Sequence, residues 1–119
     1  SIDLEHLPEI RGALRAWLEK AADELRLEKA YLYGSFARGN PHEGSDIDLI
    51  LLGPFTGKLH HRIFRVLETA DLPIQPLCYT PEEWQVLLDE GNSLAAEVLR
   101  TGIVAWPPQA SQAEAASGV

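Results

Sequence analysis

Leu7, Ile10, Leu14, Trp17, Leu18, Ala21 and Leu25 recur three and four residues apart, with Glu, Arg and Lys filling the intervals. An apolar face opposite a charged one predicts an amphipathic helix over residues 4–27, with Pro8 tolerated in its first turn. Ala30-Tyr31-Leu32-Tyr33 then reads as a short buried strand, stopped at Gly34. Residues 34–44 carry three glycines and a proline, which predicts a loop with at most one helical turn. Residues 46–52 alternate acidic and apolar positions before becoming wholly apolar, a second strand that Gly53-Pro54 ends.

Leu59, Ile63, Val66 and Leu67 place a helix over residues 58–70. Residues 73–79 form a third strand, and its prolines put it at a sheet edge. Thr80-Pro81-Glu82-Glu83 is a helix start, with Thr80 as N-cap, Pro81 at the first position and Glu83 completing a capping box. Trp84, Leu87 and Leu88 give that helix its apolar face. A last helix covers residues 93–100, Gly102 ends it, and residues 103–106 form a short strand. Beyond Trp106 large apolar residues all but vanish, so the remainder cannot bury enough surface to offset its ordering entropy. The expectation is one domain over residues 1–106 and a disordered tail over 107–119.

Charge narrows the function. A net charge of -8 opposes the basic footprint of nucleic-acid binders, so no extended nucleic-acid surface is expected. An acidic chain still binds an anionic nucleotide when metal ions stand between the two. Cys78 is the sole cysteine, which rules out an internal disulfide or a multi-cysteine metal site and suits a small buried hydrophobe. No apolar run approaches the roughly 20 residues that span a bilayer. The opening Ser-Ile-Asp-Leu-Glu lacks the features of a signal peptide, so a cytoplasmic protein without membrane contact is expected.

Two pieces carry the chemistry. Asp46 and Asp48 stand two apart on a predicted strand, so both carboxylates point to one face. Carboxylates held that close repel unless a positive charge lies between them. Mg²⁺ suits the position, because it prefers oxygen ligands and takes one or two carboxylates together with substrate phosphates. Upstream, Gly34 lets the backbone approach a ligand with no Cβ in the way. Ser35 adds a hydroxyl, and the amides after it suit phosphate oxygens. Arg38 either balances phosphate charge or pairs with a surface acid such as Glu43. Ser45 either touches substrate or, as its position favours, caps the strand and orients Asp46.

Gly34-Ser35-Phe36-Ala37-Arg38-Gly39 followed by Ser45-Asp46-Ile47-Asp48-Leu49 closely resembles the signature of the DNA polymerase beta-like nucleotidyltransferase superfamily. The chain length and the Tyr79-Thr80-Pro81-Glu82-Glu83 segment look like its minimal (MNT-type) branch, over about residues 4–106. The resemblance implies an α+β fold, close to α/β: a small mixed β-sheet with helices packed on it. It also implies Asp46 and Asp48 as catalytic Mg²⁺ ligands, and Gly34 and Ser35 at the triphosphate of an NTP, ATP in the first instance. A HEPN-type helical protein is the implied partner, in a toxin–antitoxin module. In the family a third carboxylate comes from the strand before the Thr-Pro-Glu-Glu segment; here that position is Gln75. Gln has no charge and accepts no proton at neutral pH. Asp71 lies four residues away, roughly 13 Å along a strand, too far to substitute.

Two functions follow as expectations. One is transfer of a nucleoside monophosphate to an acceptor hydroxyl. The other is a catalytically impaired nucleotide-binding antitoxin or regulatory subunit, which acts by contact. Gly53 to Leu59 looks like a P-loop but is one residue short, with Leu where Ser or Thr would hold the metal. His60 and His61 are adjacent, and the expectation is that they point apart, one packed and one solvated. Trp17, Tyr31, Tyr33 and Trp84 are expected in the core.

Overall fold

The structure is a computed structural model that describes residues 7–39 and 46–109. Helix α1 (Leu7–Leu25) is followed by β1 (Lys29–Tyr33), a single helical turn α2 (Gly34–Ala37), β2 (Ile47–Leu52), α3 (Leu59–Leu67), β3 (Ile74–Tyr79), α4 (Pro81–Asp89), α5 (Ser93–Thr101) and β4 (Ile103–Trp106). The first residues of the predicted helix over 4–27 fall outside the described residues, as do residues 110–119 of the expected tail. At its other end α1 stops two residues early. Arg26 takes a left-handed conformation, φ 56°, and the Leu27 amide donates back to the Ala22 carbonyl at 3.0 Å, a helix-ending closure more often built on glycine.

The four strands lie in the order β3-β2-β1-β4. β1 pairs antiparallel with β2 and β4, and β2 pairs parallel with β3, so the sheet is mixed. β3 is an edge strand, as its prolines require. Alternation then sorts the side chains into two layers. Ile47, Leu49 and Leu51 of β2 join Ala30, Leu32 and Ile74 under α1 and α3, against Leu14, Trp17, Leu18, Ala21 and Val66. Ile50 and Leu52 face the other way, against Trp84 of α4 and Ala95 and Val98 of α5, with Tyr31, Tyr33, Leu77 and Tyr79 packed at the margin. The aromatic residues expected in the core are there, Trp17 and Trp84 buried and the two tyrosines half-buried.

The capping box forms as the sequence predicts. The Thr80 hydroxyl accepts from the Glu83 amide at 3.1 Å, and the Thr80 amide donates to Glu83 Oε1 at 2.7 Å. The same carboxylate has a second task that no local pattern signals. Arg62 of α3 is only 6% exposed, and it donates through both terminal nitrogens to Glu83, at 2.7 and 3.2 Å. Its Nε also donates to the Gly57 carbonyl at 3.1 Å, and its Nη1 to the Cys78 carbonyl at 3.2 Å. A cation that leaves water at this depth must have its donors matched, and this one is tied to α4, β3 and the loop before α3.

Glu83→Ala removes both the cap and the anion that Arg62 grips. The expected loss is about 2–3 kcal/mol in urea denaturation, against less than about 0.5 kcal/mol for the exposed neighbour in Glu82→Ala. The Glu83 carboxyl is held below its usual 4.5, first by the Arg62 hydrogen bond. Its contribution is therefore complete above that value and fades as pH falls through the lowered one. The gap between wild type and Glu83→Ala should close in acid; a gap unchanged from pH 7 down to acid unfolding refutes the assignment.

Candidate nucleotide site

Tyr33, the last residue of β1, pairs with Asp48 of β2, and Asp48 pairs in turn with Gln75 of β3. The end of β1 and the starts of β2 and β3 thus meet at one end of the sheet. Alternation puts Asp48 on the same face as Ile50, and Asp46 with it, on the layer covered by α4 and α5. The two acids and Gln75 are therefore brought together. Gln75 Nε2 donates to Asp46 Oδ2 at 2.6 Å, which orients that carboxylate.

Gly34 is buried, with φ 74°, where only glycine is unstrained. A Cβ built on it would overlap Asp48 Oδ2. The absence of a side chain is thus what lets the Asp48 carboxylate lie against the backbone at the head of α2. Ser35 follows, half-buried, and the Arg38 amide closes the turn onto the Gly34 carbonyl at 3.1 Å. Ser45, the remaining residue of the expected nucleotide site, lies outside the described residues, as does Glu43.

Like charges act on one another in this corner. Burial raises the Asp48 carboxyl above its usual 3.8, the negative charges of Asp46 and then Glu97 raise it further, and Arg38 pulls it down. The Tyr33 hydroxyl is pushed up to about 12, first by burial and then by Asp48 and Glu97, so it stays protonated. Arg38 pairs with Glu97 of α5 at 3.6 Å. Neither Glu97 nor Tyr33 was flagged by sequence. Glu97 sits one turn before the end of the last helix, nearly fifty residues from Asp48, and its only sequence signal is an acid on a helix whose one other charge is Arg100.

The donor set fits Mg²⁺. Two carboxylates on one face supply hard oxygens, and the bare Gly34 backbone leaves Asp48 room that a side chain would take. Among the described residues no group of three or more His, Cys, Asp or Glu converges to hold a metal.

Other residues separate from this corner. The P-loop look-alike follows Leu52, at the opposite end of β2 from Asp48, and its Gly57 and Thr56 carbonyls are taken by Arg62 and Arg65. His60 and His61 are both exposed, with ring centroids 4.1 Å apart: the expectation that they point apart, one packed and one solvated, fails, because α3 buries the face that carries Arg62 and Val66. Cys78 is buried and its thiol is pushed up to about 12 by burial, so it is no nucleophile. A cavity of about 770 Å³ opens between α1, α2 and β4, and neither Asp46 nor Asp48 lines it. No described helix is long and apolar enough to cross a membrane.

Comparisons with solved structures agree with this arrangement. A candidate nucleotidyltransferase from Sulfolobus solfataricus superposes with a TM-score of 0.60 at 17% identity, over 85% of this chain and 83% of that one. A toxin–antitoxin structure with AMP-PNP gives a TM-score of 0.55 at 21% identity, over 80% of this chain and 74% of that one. A mutant of the toxin–antitoxin pair MntA-HpeT gives 0.53 at 18% identity, over the same shares. At these identities the likeness establishes the fold. No curated protein matches in sequence. The sequence model of the nucleotidyltransferase domain matches residues 14–85, a span that holds Gly34, Asp46, Asp48 and Gln75. With well over half of its length matched, and with the signature residues meeting at one sheet end, the chain belongs to the nucleotidyltransferase domain family.

Proposed function

We propose that this protein is a Mg²⁺-dependent nucleotidyltransferase that moves a nucleoside monophosphate from an NTP, ATP in the first instance, to an acceptor hydroxyl. The reading is carried by one observation: the Asp48 carboxylate lies against the side-chain-free backbone of Gly34, with Asp46 on the same face. Asp46 and Asp48 would hold the metal, which when bound neutralises phosphate charge and polarises the reacting oxygens. Gly34 and Ser35 would hold the β- and γ-phosphates against open backbone, and Arg38 adds a cation at the rim. The acceptor oxygen bonds to the α-phosphorus, the bond to the bridging oxygen breaks, and pyrophosphate leaves with that electron pair. The hydroxyl proton goes to solvent or the acceptor's own surroundings, because Gln75 cannot take it.

The likeness to two toxin–antitoxin structures supports membership of such a pair; the acceptor would then sit on the partner, a HEPN-type helical protein by family resemblance, in the cytoplasm. A second reading rests on the Gln75 amide: its nitrogen faces Asp46 and brings neither charge nor basicity. Loss of one preorganised electrostatic group costs about a hundred- to a thousand-fold in rate. On this reading the chain binds Mg-NTP and neutralises its partner by contact.

Labelled NTP, Mg²⁺ and the co-purified partner distinguish the readings. Label transfer that disappears in Asp48→Ala is expected; nucleotide binding without transfer establishes the contact-acting subunit, and no Mg²⁺-dependent binding at all rejects both. Gly34→Ala should lose nucleotide affinity by about tenfold or more, since its Cβ displaces Asp48 and strains a left-handed residue by roughly 1–2 kcal/mol; calorimetric titration with a non-hydrolysable NTP reads this, and wild-type affinity refutes it. Gln75→Asp should raise turnover by restoring the third carboxylate. Unchanged or lower turnover there counts against this placement of the third position.

A further inference from the structure

We infer that Glu97 of α5 is a positioning residue for the nucleotide site, holding the Arg38 guanidinium at the rim and off the Asp48 carboxylate so that the cation stands ready for the phosphates. The inference rests on the proposed nucleotide site and extends it to an element that the signature motifs do not include. Arg38 is the residue on which α2 closes, its backbone amide bonded to the Gly34 carbonyl at 3.1 Å, so its side chain departs from the turn that carries Gly34 and Ser35. Glu97 reaches it from α5, which packs on β1, with N···O 3.6 Å.

Stability does not account for this pair. Its side chains are 48% and 36% exposed, and ion pairs so open to water contribute little. Glu97 also stands close enough to raise the Asp48 carboxyl, so folding has placed a third negative charge beside two others. What Glu97 gains for the site is control of Arg38. Without it, the attraction between Arg38 and Asp48 would act unopposed and draw the guanidinium onto the carboxylate that the metal needs. With it, Arg38 is drawn off toward α5 and stays within reach of both. An anionic ligand then meets an arginine already aimed, with less side-chain entropy to lose on binding.

A double-mutant cycle on the full chain tests this, with titration of a non-hydrolysable NTP in Mg²⁺ as the readout. Glu97→Gln keeps shape and removes charge; it should weaken binding about two- to fivefold, the equivalent of one exposed ion pair. Arg38→Ala should weaken it about tenfold or more, as loss of a charge-assisted contact does. The double variant should bind like Arg38→Ala alone, because Glu97 acts through Arg38. The Glu97→Gln deficit should shrink as salt screens the pair, which a merely structural role would not produce. Thermal unfolding confirms that each variant is folded, and Glu97→Asp offers a charge-retaining variant expected to keep most of the affinity. Wild-type affinity in Glu97→Gln, or additive losses in the double variant, overturns the inference while leaving the nucleotide site intact. Absence of nucleotide binding by the wild type, or binding indifferent to Asp48→Ala, overturns the proposed site and this inference with it.

Discussion

The strand register that sets Tyr33 opposite Asp48 organises the rest of the site. It brings the chain reversal at Gly34 directly over the Asp48 carboxylate, and no residue with a side chain fits between them. A shift of one residue would turn Asp46 and Asp48 toward α1 and α3 and bring Ile47 out of the core. Ile47, Leu49, Ile50 and Leu51 are fully buried, so their packing fixes the register. The hydrophobic core thereby holds two acids at a sheet end where, left to themselves, they would separate.

Charge is handled differently at the two ends of β2. Near its C-terminal end the buried Arg62 has its donors matched by Glu83 and two carbonyls, and no described buried side-chain polar atom lacks a partner. Near its N-terminal end Asp46, Glu97 and Arg38 all act on the Asp48 carboxyl, and Arg38 pairs with Glu97. The first arrangement is closed and neutral, as a structural tie between α3, β3 and α4 needs. The second sets like charges against one another in a half-buried corner, where burial and the charges of Asp46 and Glu97 raise the Asp48 carboxyl and a cation would ease it. That contrast separates structure from function more sharply than either site does alone.

Gln75 modifies this picture without removing it. Its amide tethers Asp46 across the β2–β3 pair, so the position continues to orient the site even though it brings no charge. Orientation of a ligand and activation of a nucleophile are separate tasks, and only the second requires a base.

Local chemistry was enough for much of the fold. Period 3.6 along residues 7–25, period 2 around Asp46 to Asp48, the prolines of β3 and the capping box at Thr80 each act within a few residues, and each matches the structure. The motif order of Gly34-Ser35 and Asp46, Asp48 likewise marked the corner that the sheet assembles. What depended on the tertiary structure were the partners of charged side chains. Arg62 meets Glu83 twenty-one residues on, and Arg38 meets Glu97 across the α5 packing. The exposed His60–His61 pair and the left-handed Arg26 also escaped the pattern. Hydrophobic periodicity records which face of an element is buried, whereas the partner of a charge is set by how separate elements dock, and no spacing along the chain encodes that distance.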